Sequence, residues 1–274
     1  MQTWPAPAKL NLFLHVTGRR PDGYHSLQTV FQFLDYSDEL SFRVTTDGKI
    51  TRAAPLPGVP EDTDLTLRAA QLLQRALGTT LGVEITLRKR IPMGGGLGGG
   101  SSDAATTLLA LNHLWGLRVM RAELLRLGLQ LGADVPVFIG GQAAWGEGVG
   151  ERLTPVEPEE AWYVVLVPPV HVSTAEVFTE LGLTAFSGPI TIRDFHAGRA
   201  GNDLERVVRQ RYPEVDQALS WLTQFGQARM TGSGGCVYLK VVGESAGRHI
   251  FAQRLPGFDG FVARGINRHP LFEM

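Results

Sequence analysis

Apolar residues along this chain switch between two spacings, and the switches mark out its elements. Across residues 4–16, Leu10, Leu12 and Leu14 alternate with Lys9, Asn11 and Phe13. That period of two predicts a strand with the second set on the opposite face, so Lys9 and Asn11 project side by side. Pro21-Asp22-Gly23 predicts a turn, followed by Tyr24-His25 and the stretch from Ser26 to Phe31. Residues 38–53 alternate again, and Asp47-Gly48 at their centre predicts a two-residue hairpin. After a loop over 55–60 the spacing lengthens. Residues 63–77 read as an amphipathic helix with Leu65, Ala69, Leu72, Leu73 and Ala76 on one face. Val83, Ile85 and Leu87 return to the alternation of a half-buried strand.

That strand feeds Ile91-Pro92-Met93-Gly94-Gly95-Gly96-Leu97-Gly98-Gly99-Gly100-Ser101-Ser102-Asp103-Ala104-Ala105, with six glycines in the seven residues 94–100. So bare a backbone can press its N–H groups against a ligand. Ser101 and Ser102 are placed to cap a following helix whose apolar face uses Ala105, Leu108, Leu109 and Leu111. Strand, glycine loop and helix N-terminus together make an anion site, because unpaired N–H groups and the positive dipole end converge there. No lysine follows Gly100, as the phosphate loop of the common nucleotide hydrolases requires. Gly94, Gly96 and Gly99 satisfy G-x-G-x-x-G, yet positions 104–122 hold no acidic residue for a ribose. A nucleotide-phosphate cradle is the reading that survives. Lys89, just upstream, is either an edge-strand charge or a neighbour of the nucleotide.

In Gly132-Ala133-Asp134-Val135-Pro136-Val137-Phe138, one acid stands among apolar residues after a helix end at Gly132. Such a residue is an N-cap, an ion-pair partner or a catalytic carboxylate. Residues 143–150 read as a glycine-rich turn closing a first domain, and 162–167 as a buried strand. Ser173 or Thr174 caps a helix carrying Phe178. Gly201-Asn202-Asp203-Leu204-Glu205 opens another helix, and Met230-Thr231-Gly232-Ser233-Gly234-Gly235-Cys236-Val237-Tyr238 is a glycine turn entering a strand.

Composition narrows the class. A chain of 274 residues has room for one large domain or two ordinary ones, and 43% hydrophobic with 19% charged residues suits a soluble globular protein. A formal net charge of -1 excludes a broad polycationic surface for nucleic acid. Only Lys9, Lys49, Lys89 and Lys240 are lysines among 26 basic residues, so each invites a question. One cysteine, Cys236, excludes an internal disulfide and a multi-cysteine metal site. No apolar run is long enough to cross a membrane and no secretory pattern opens the chain, so a cytoplasmic enzyme or binding protein is expected, a monomer or weak homodimer.

The glycine segment resembles the ATP-binding motif of the GHMP kinase superfamily, most of all that of its 4-diphosphocytidyl-2-C-methyl-D-erythritol kinases. Pro-Ala-Lys-Leu-Asn-Leu around Lys9 is similar to the family's first motif, whose lysine lies in the active site. Gly-Ala-Asp-Val-Pro-Val-Phe resembles its catalytic-aspartate motif, and the turn after Met230 its third motif, which supports the phosphate loop. The resemblance implies an α+β, two-domain GHMP-kinase-like fold with the active site in the cleft. Residues 1–152 would form an ATP-binding domain like domain 2 of ribosomal protein S5, and 153–274 a ferredoxin-like C-terminal kinase domain. It implies ATP-dependent phosphorylation of the 2-hydroxyl of 4-diphosphocytidyl-2-C-methyl-D-erythritol, in the non-mevalonate route to isoprenoid precursors. Lys9 and Asp134 would be catalytic. Pro92, Met93, Gly94, Gly95, Gly96, Leu97, Gly98, Gly99, Gly100, Ser101 and Ser102 would hold ATP, with Lys89 beside them. Asn11, Tyr24, His25, Phe31, Thr174 and Phe178 would hold the substrate, its cytosine on the aromatics and its polyol near Thr174. Mg2+ is expected with ATP, without assigned ligands. The family commonly has Asn-Leu where this chain has Asp64-Leu65, which puts an adenine contact from position 64 in doubt. The alternatives are another small-molecule kinase of the superfamily, of homoserine or mevalonate type, and a nucleotide-binding protein without catalysis.

Overall fold

The computed structural model describes residues 2–21, 23–181 and 187–273; Asp22, in the predicted turn, lies outside them. The alternation near the start forms β1 (Trp4–Arg19), antiparallel to the longer β2 (His25–Thr45). Beyond Thr45 the hairpin expectation fails. β3 (Ile50–Arg52) pairs in parallel with a later strand instead of folding back on β2. The cause is local: the Asp47 carboxylate accepts from Thr45 Oγ1 (2.7 Å) and Lys49 N (3.1 Å), an Asx-type turn that carries the chain away from its own strand.

Helix α1 (Leu65–Leu77) starts two residues later than its pattern suggested, because Asp64 caps it. Its buried stripe is Thr66, Leu67, Ala69, Ala70 and Leu73, which leaves Ala76 exposed. Then come β4 (Gly82–Arg88), antiparallel to β2 and the parallel partner of β3, and α2 (Gly99–Leu114). Every residue of α2 from Ser102 to Leu111 is buried, so it is a core helix and not an amphipathic one. Short helices α3 (Arg121–Leu129) and α4 (Val135–Gly140) lead to β5 (Ala144–Gly148) and β6 (Arg152–Pro155). The stretch expected as a glycine turn is therefore mostly strand: β5 lies against β2, and the glycines serve its hairpin with β6.

The second lobe contains β7 (Trp162–Val167), α5 (Thr174–Leu181), α6 (Ile192–His196), α7 (Glu205–Arg211), α8 (Pro213–Thr223), β8 (Ala228–Met230), β9 (Val237–Val241), α9 (Glu244–Ala252) and β10 (Asp259–Ile266). Its sheet runs β10-β7-β9-β8, all antiparallel. β10 belongs to both lobes: most of it pairs with β7, while Gly265 and Ile266 pair with Leu34 and Phe33 of β2. One apolar cluster sits between the first sheet and α1–α4, with Phe33, Leu73, Leu108 and Phe138 inside it. A second lies under α7 and α8, around Val164, Val208, Leu219 and Leu239. A third, with Leu10, Phe13, Trp145, Val165 and Tyr238, joins the sheets. The α+β, two-lobed architecture implied by the resemblance is what the chain adopts. No helix of the described residues is long and apolar enough to cross a membrane.

Candidate active site

The glycine loop runs from the end of β4 into α2. At φ +72 Gly98 turns the chain into the helix, a conformation that costs glycine little, so α2 begins before the two serines that were expected to cap it. Ser101 and Ser102 therefore sit in its first turn, where the N–H groups before Ser102 lack intrahelical partners and Ser102 N already donates to Gly98 O (2.8 Å). Ser101 borders the cavities on both sides of the loop; the Ser102 hydroxyl is buried. The turn after Met230 backs the loop from the second lobe. Cys236 N donates to Gly95 O (3.1 Å), and a Cβ on Gly96 would stand 2.5 Å from Thr231 O. Only glycine fits there. Asn202 fixes that turn by donating to Met230 O (3.1 Å) and Gly232 O (2.9 Å), while Asp203 accepts from Val16 N (2.7 Å).

Lys9 is the point where β1 meets the loop. Its backbone N donates to Leu97 O (2.9 Å), and its ammonium, 2% exposed, has three acceptors. They are Asn11 Oδ1 (2.5 Å), Gly96 O (2.9 Å) and the Asp134 carboxylate (3.3 Å). Asp134 stands at the start of α4, but its side chain caps no N–H of that helix and remains one-third exposed. The alternation that set Lys9 beside Asn11 and the motif that singled out Asp134 thus converge on one point.

Between the lobes lies a cavity of about 1120 Å³. Lys9, Asn11, Asp134, Gly94, Gly96 and Ser101 line it, with Tyr24, His25, Phe31, Thr174 and Phe178 around the remaining wall. Phe31 is buried beneath the Lys9 ammonium, 5.6 Å from ring centroid to Nζ. The His25 and Phe178 rings stack with centroids 5.1 Å apart. A base held between two rings needs about 7 Å, two contacts of about 3.5 Å, so none fits between that pair as it stands. Tyr24, 67% exposed, is the remaining aromatic face. Burial, and then the Arg19 charge, lower the His25 imidazole below its ordinary value and favour the neutral ring. Thr174 Oγ1 and Ser233 Oγ share a hydrogen bond of 2.6 Å. Ser233 and Arg19 border the cavity too and were not singled out from sequence, Ser233 being one polar residue in a glycine run and Arg19 half of a common arginine pair.

On the other side of the loop a smaller cavity, about 330 Å³, is lined by Leu56, Val59, Leu65, Leu87, Pro92, Met93 and the glycines, with Lys89 and Asp64 at its edge. Both charges are engaged. Lys89 Nζ donates to Asp38 (2.5 Å) and Asp103 (2.8 Å), and Asp38 also accepts from the backbone of Arg90 and Ile91. Burial presses the Lys89 ammonium down, but the two carboxylates outweigh it and raise it. Burial is also the chief reason that the Asp103 carboxyl is pushed up to about 8, against the pull of Lys89. Asp64 accepts from Thr66 N (2.8 Å) and pairs with Arg52 (2.9 Å), so its oxygens serve α1. Among the described residues no group of three or more His, Cys, Asp or Glu could hold a metal ion.

This layout has relatives. The GHMP kinases N terminal domain family matches residues 64–142, and the GHMP kinases C terminal family matches 191–246. The 4-diphosphocytidyl-2-C-methyl-D-erythritol kinase of Marinobacter nauticus is 56% identical over 274 residues, covering 98% of this chain and 96% of that protein. The kinase of the same name from Thiobacillus denitrificans is 57% identical over 273 residues, covering 99% and 98%. A crystal structure of 4-(cytidine 5'-diphospho)-2C-methyl-D-erythritol kinase superposes with a TM-score of 0.82 at 32% identity, covering 97% of this chain and 99% of that one. A mevalonate kinase structure, 17% identical with a TM-score of 0.71 over 98% of this chain and all of its own, shares the fold. The chain belongs to the GHMP kinases, in the family of the 4-diphosphocytidyl-2-C-methyl-D-erythritol kinases.

Proposed function

We propose that this chain transfers the γ-phosphoryl group of ATP to the 2-hydroxyl of 4-diphosphocytidyl-2-C-methyl-D-erythritol, the non-mevalonate isoprenoid step of its relatives. The observation that carries this reading is the content of the large cavity: aromatic side chains at one end, and Lys9 with Asp134, 3.3 Å apart beside the glycine loop, at the other. A homoserine or mevalonate kinase has no use for the aromatic end, and a mere nucleotide binder none for the lysine–aspartate pair.

Phosphoryl transfer asks for held donor phosphates, compensated charge and an aimed acceptor. The N–H groups of the glycine loop and the first turn of α2 bind the phosphates; the apolar walls of the small cavity suit the adenine. The substrate hydroxyl oxygen bonds to the γ-phosphorus as the bond to the β-bridging oxygen breaks and ADP leaves. Asp134 takes the hydroxyl proton, within reach as a general base. Lys9 offsets the charge that builds on the transferred group. Where Mg2+ accompanies ATP, the Ser101 hydroxyl would be the protein group to hold it, being the serine that borders the cavity. When bound, the ion neutralises phosphate charge.

Tyr24 and Phe178 hold the cytosine once His25 swings off Phe178, and neutral His25 offers the base edge a donor and an acceptor. We divide the chain near 152/153, at β6, with the family matches falling on either side and the residues after β10 returning to the first domain. We also place the enzyme in the cytoplasm as a monomer or weak homodimer. Purified protein supplied with ATP should turn over the cytidyl polyol and leave homoserine and mevalonate untouched. Turnover of either of those in its place overturns the reading.

A further inference from the structure

We infer that Thr29 is a positioning residue for Lys9, acting through the orientation of the Asn11 amide; the inference rests on the kinase reading above. Thr29 is 1% exposed and lies on β2 opposite Leu14. The β1–β2 register slips between Asn11 and Leu14, so Leu12 and Phe13 bulge out of the ladder. The Phe13 carbonyl accepts from the Thr29 hydroxyl at 2.5 Å. Thr29 Oγ1 in turn accepts from Asn11 Nδ2 at 2.9 Å, and Asn11 Oδ1 accepts from Lys9 Nζ.

Polarity runs one way through this chain of groups. A backbone carbonyl only accepts, so the single Thr29 proton is committed to Phe13. The Thr29 oxygen is then left with lone pairs alone and must face the NH2 end of Asn11. The Oδ1 end is thereby turned to Lys9, whose ammonium only donates. With the amide reversed, two donors would face each other, and the ammonium would be driven from Gly96 O and Asp134. A strand bulge, a hydroxyl and an amide thus decide where the lysine charge sits.

Thr29→Val keeps the shape and removes the hydroxyl. It should lower kcat roughly tenfold, the scale of one buried hydrogen bond, with KM for ATP and for the cytidyl polyol changed less than about twofold. Thr29→Ser should restore kcat to within about twofold of wild type. A residue that served only stability would act the same whatever stands at position 9. In a Lys9→Ala background, therefore, Thr29→Val should remove less than about a further twofold, because both changes act on one charge. An equal tenfold loss in both backgrounds, or a Thr29→Val enzyme within twofold of wild type, overturns the inference. If Thr29→Val does not fold, Thr29→Cys, with its weak thiol donor, carries the same comparison. A wild-type protein inactive on the cytidyl polyol would overturn the proposed reaction and leave the relay standing. A crystal structure of Thr29→Val then decides it: a turned amide or a Lys9 displaced from Gly96 supports the relay, and both unchanged sinks it.

Discussion

Asp134 leads α4 without capping it, and its carboxylate pairs with Lys9 on the wall of the cavity. Its side chain caps no helix N–H and is one-third exposed, which is why its loss should appear in rate and not in folding. Asp134→Asn keeps the size and cannot take a proton, so kcat should fall by about 10²–10⁴. Nucleotide affinity should hold, since the loop is untouched. Single-turnover rates and ATP titrations on that variant, on Lys9→Ala and on the double variant measure this; near-normal turnover in Asp134→Asn would leave the base unidentified. At the far end of the cavity, Phe178 is half-buried and stacked on His25. A stacked base is worth about 1–3 kcal/mol. Phe178→Ala should therefore raise KM for the cytidyl substrate by roughly 5- to 150-fold while KM for ATP stays put. A parallel rise in both constants would move the base elsewhere.

Among elements, the glycine loop is held at three places, and only part of this was legible in the sequence. Period-two spacing gave β1 and β4, the glycine run gave the loop, and the same spacing set Lys9 beside Asn11. The fastening was hidden. Asp38, Lys89 and Asp103 come from β2, the end of β4 and α2, so no local pattern joins them. The turn after Met230, by contrast, was expected to support the loop from its likeness to the family's third motif, and it does so through a backbone bond from Cys236 N to Gly95 O. α2 begins early because Gly98, in the left-handed region, turns the chain into the helix with no side-chain cap, and β3 found a parallel partner because one aspartate redirected a turn. The triad offers a direct measurement. Lys89→Met leaves the buried Asp38 carboxylate and the Asp103 carboxyl without their cation, which typically costs about 3–5 kcal/mol; the lower end applies, as Lys89 is 16% exposed. Urea midpoints for wild type and variant test this, and an unchanged midpoint would mean that water or a shared proton replaces the lysine.

For the whole molecule, β10 and the residues after it matter most, because they leave the second lobe and complete the first. Ala143 N donates to Asn267 O and His269 N to Gly141 O, Arg121 donates to Phe272 O, and Leu271 enters the core between the first sheet and its helices. His269 is buried there with Nδ1 accepting from Leu271 N (3.0 Å). Burial, and secondarily the Arg121 charge, lower its imidazole to about 3. A base lowered on folding contributes stability that is complete above its unfolded value and lost as pH falls toward the folded one. Between pH 6.5 and 3 this one group should therefore remove on the order of 4–5 kcal/mol. His269→Asn keeps an acceptor for Leu271 N and should lose less over that range; equal acid sensitivity of the two, in denaturant midpoints taken at several pH values, would acquit the histidine. The returning strand also bears on how a cell makes this protein. Translation delivers the first lobe early, yet β10 and Leu271, which close its sheet and core, leave the ribosome late. Until then the nascent chain exposes an unpaired strand segment and apolar surface, the features that make folding intermediates sticky. The first lobe is sealed only after synthesis has passed through the second, which makes the two lobes one cooperative unit and a nascent chain stalled before β10 a client for chaperones.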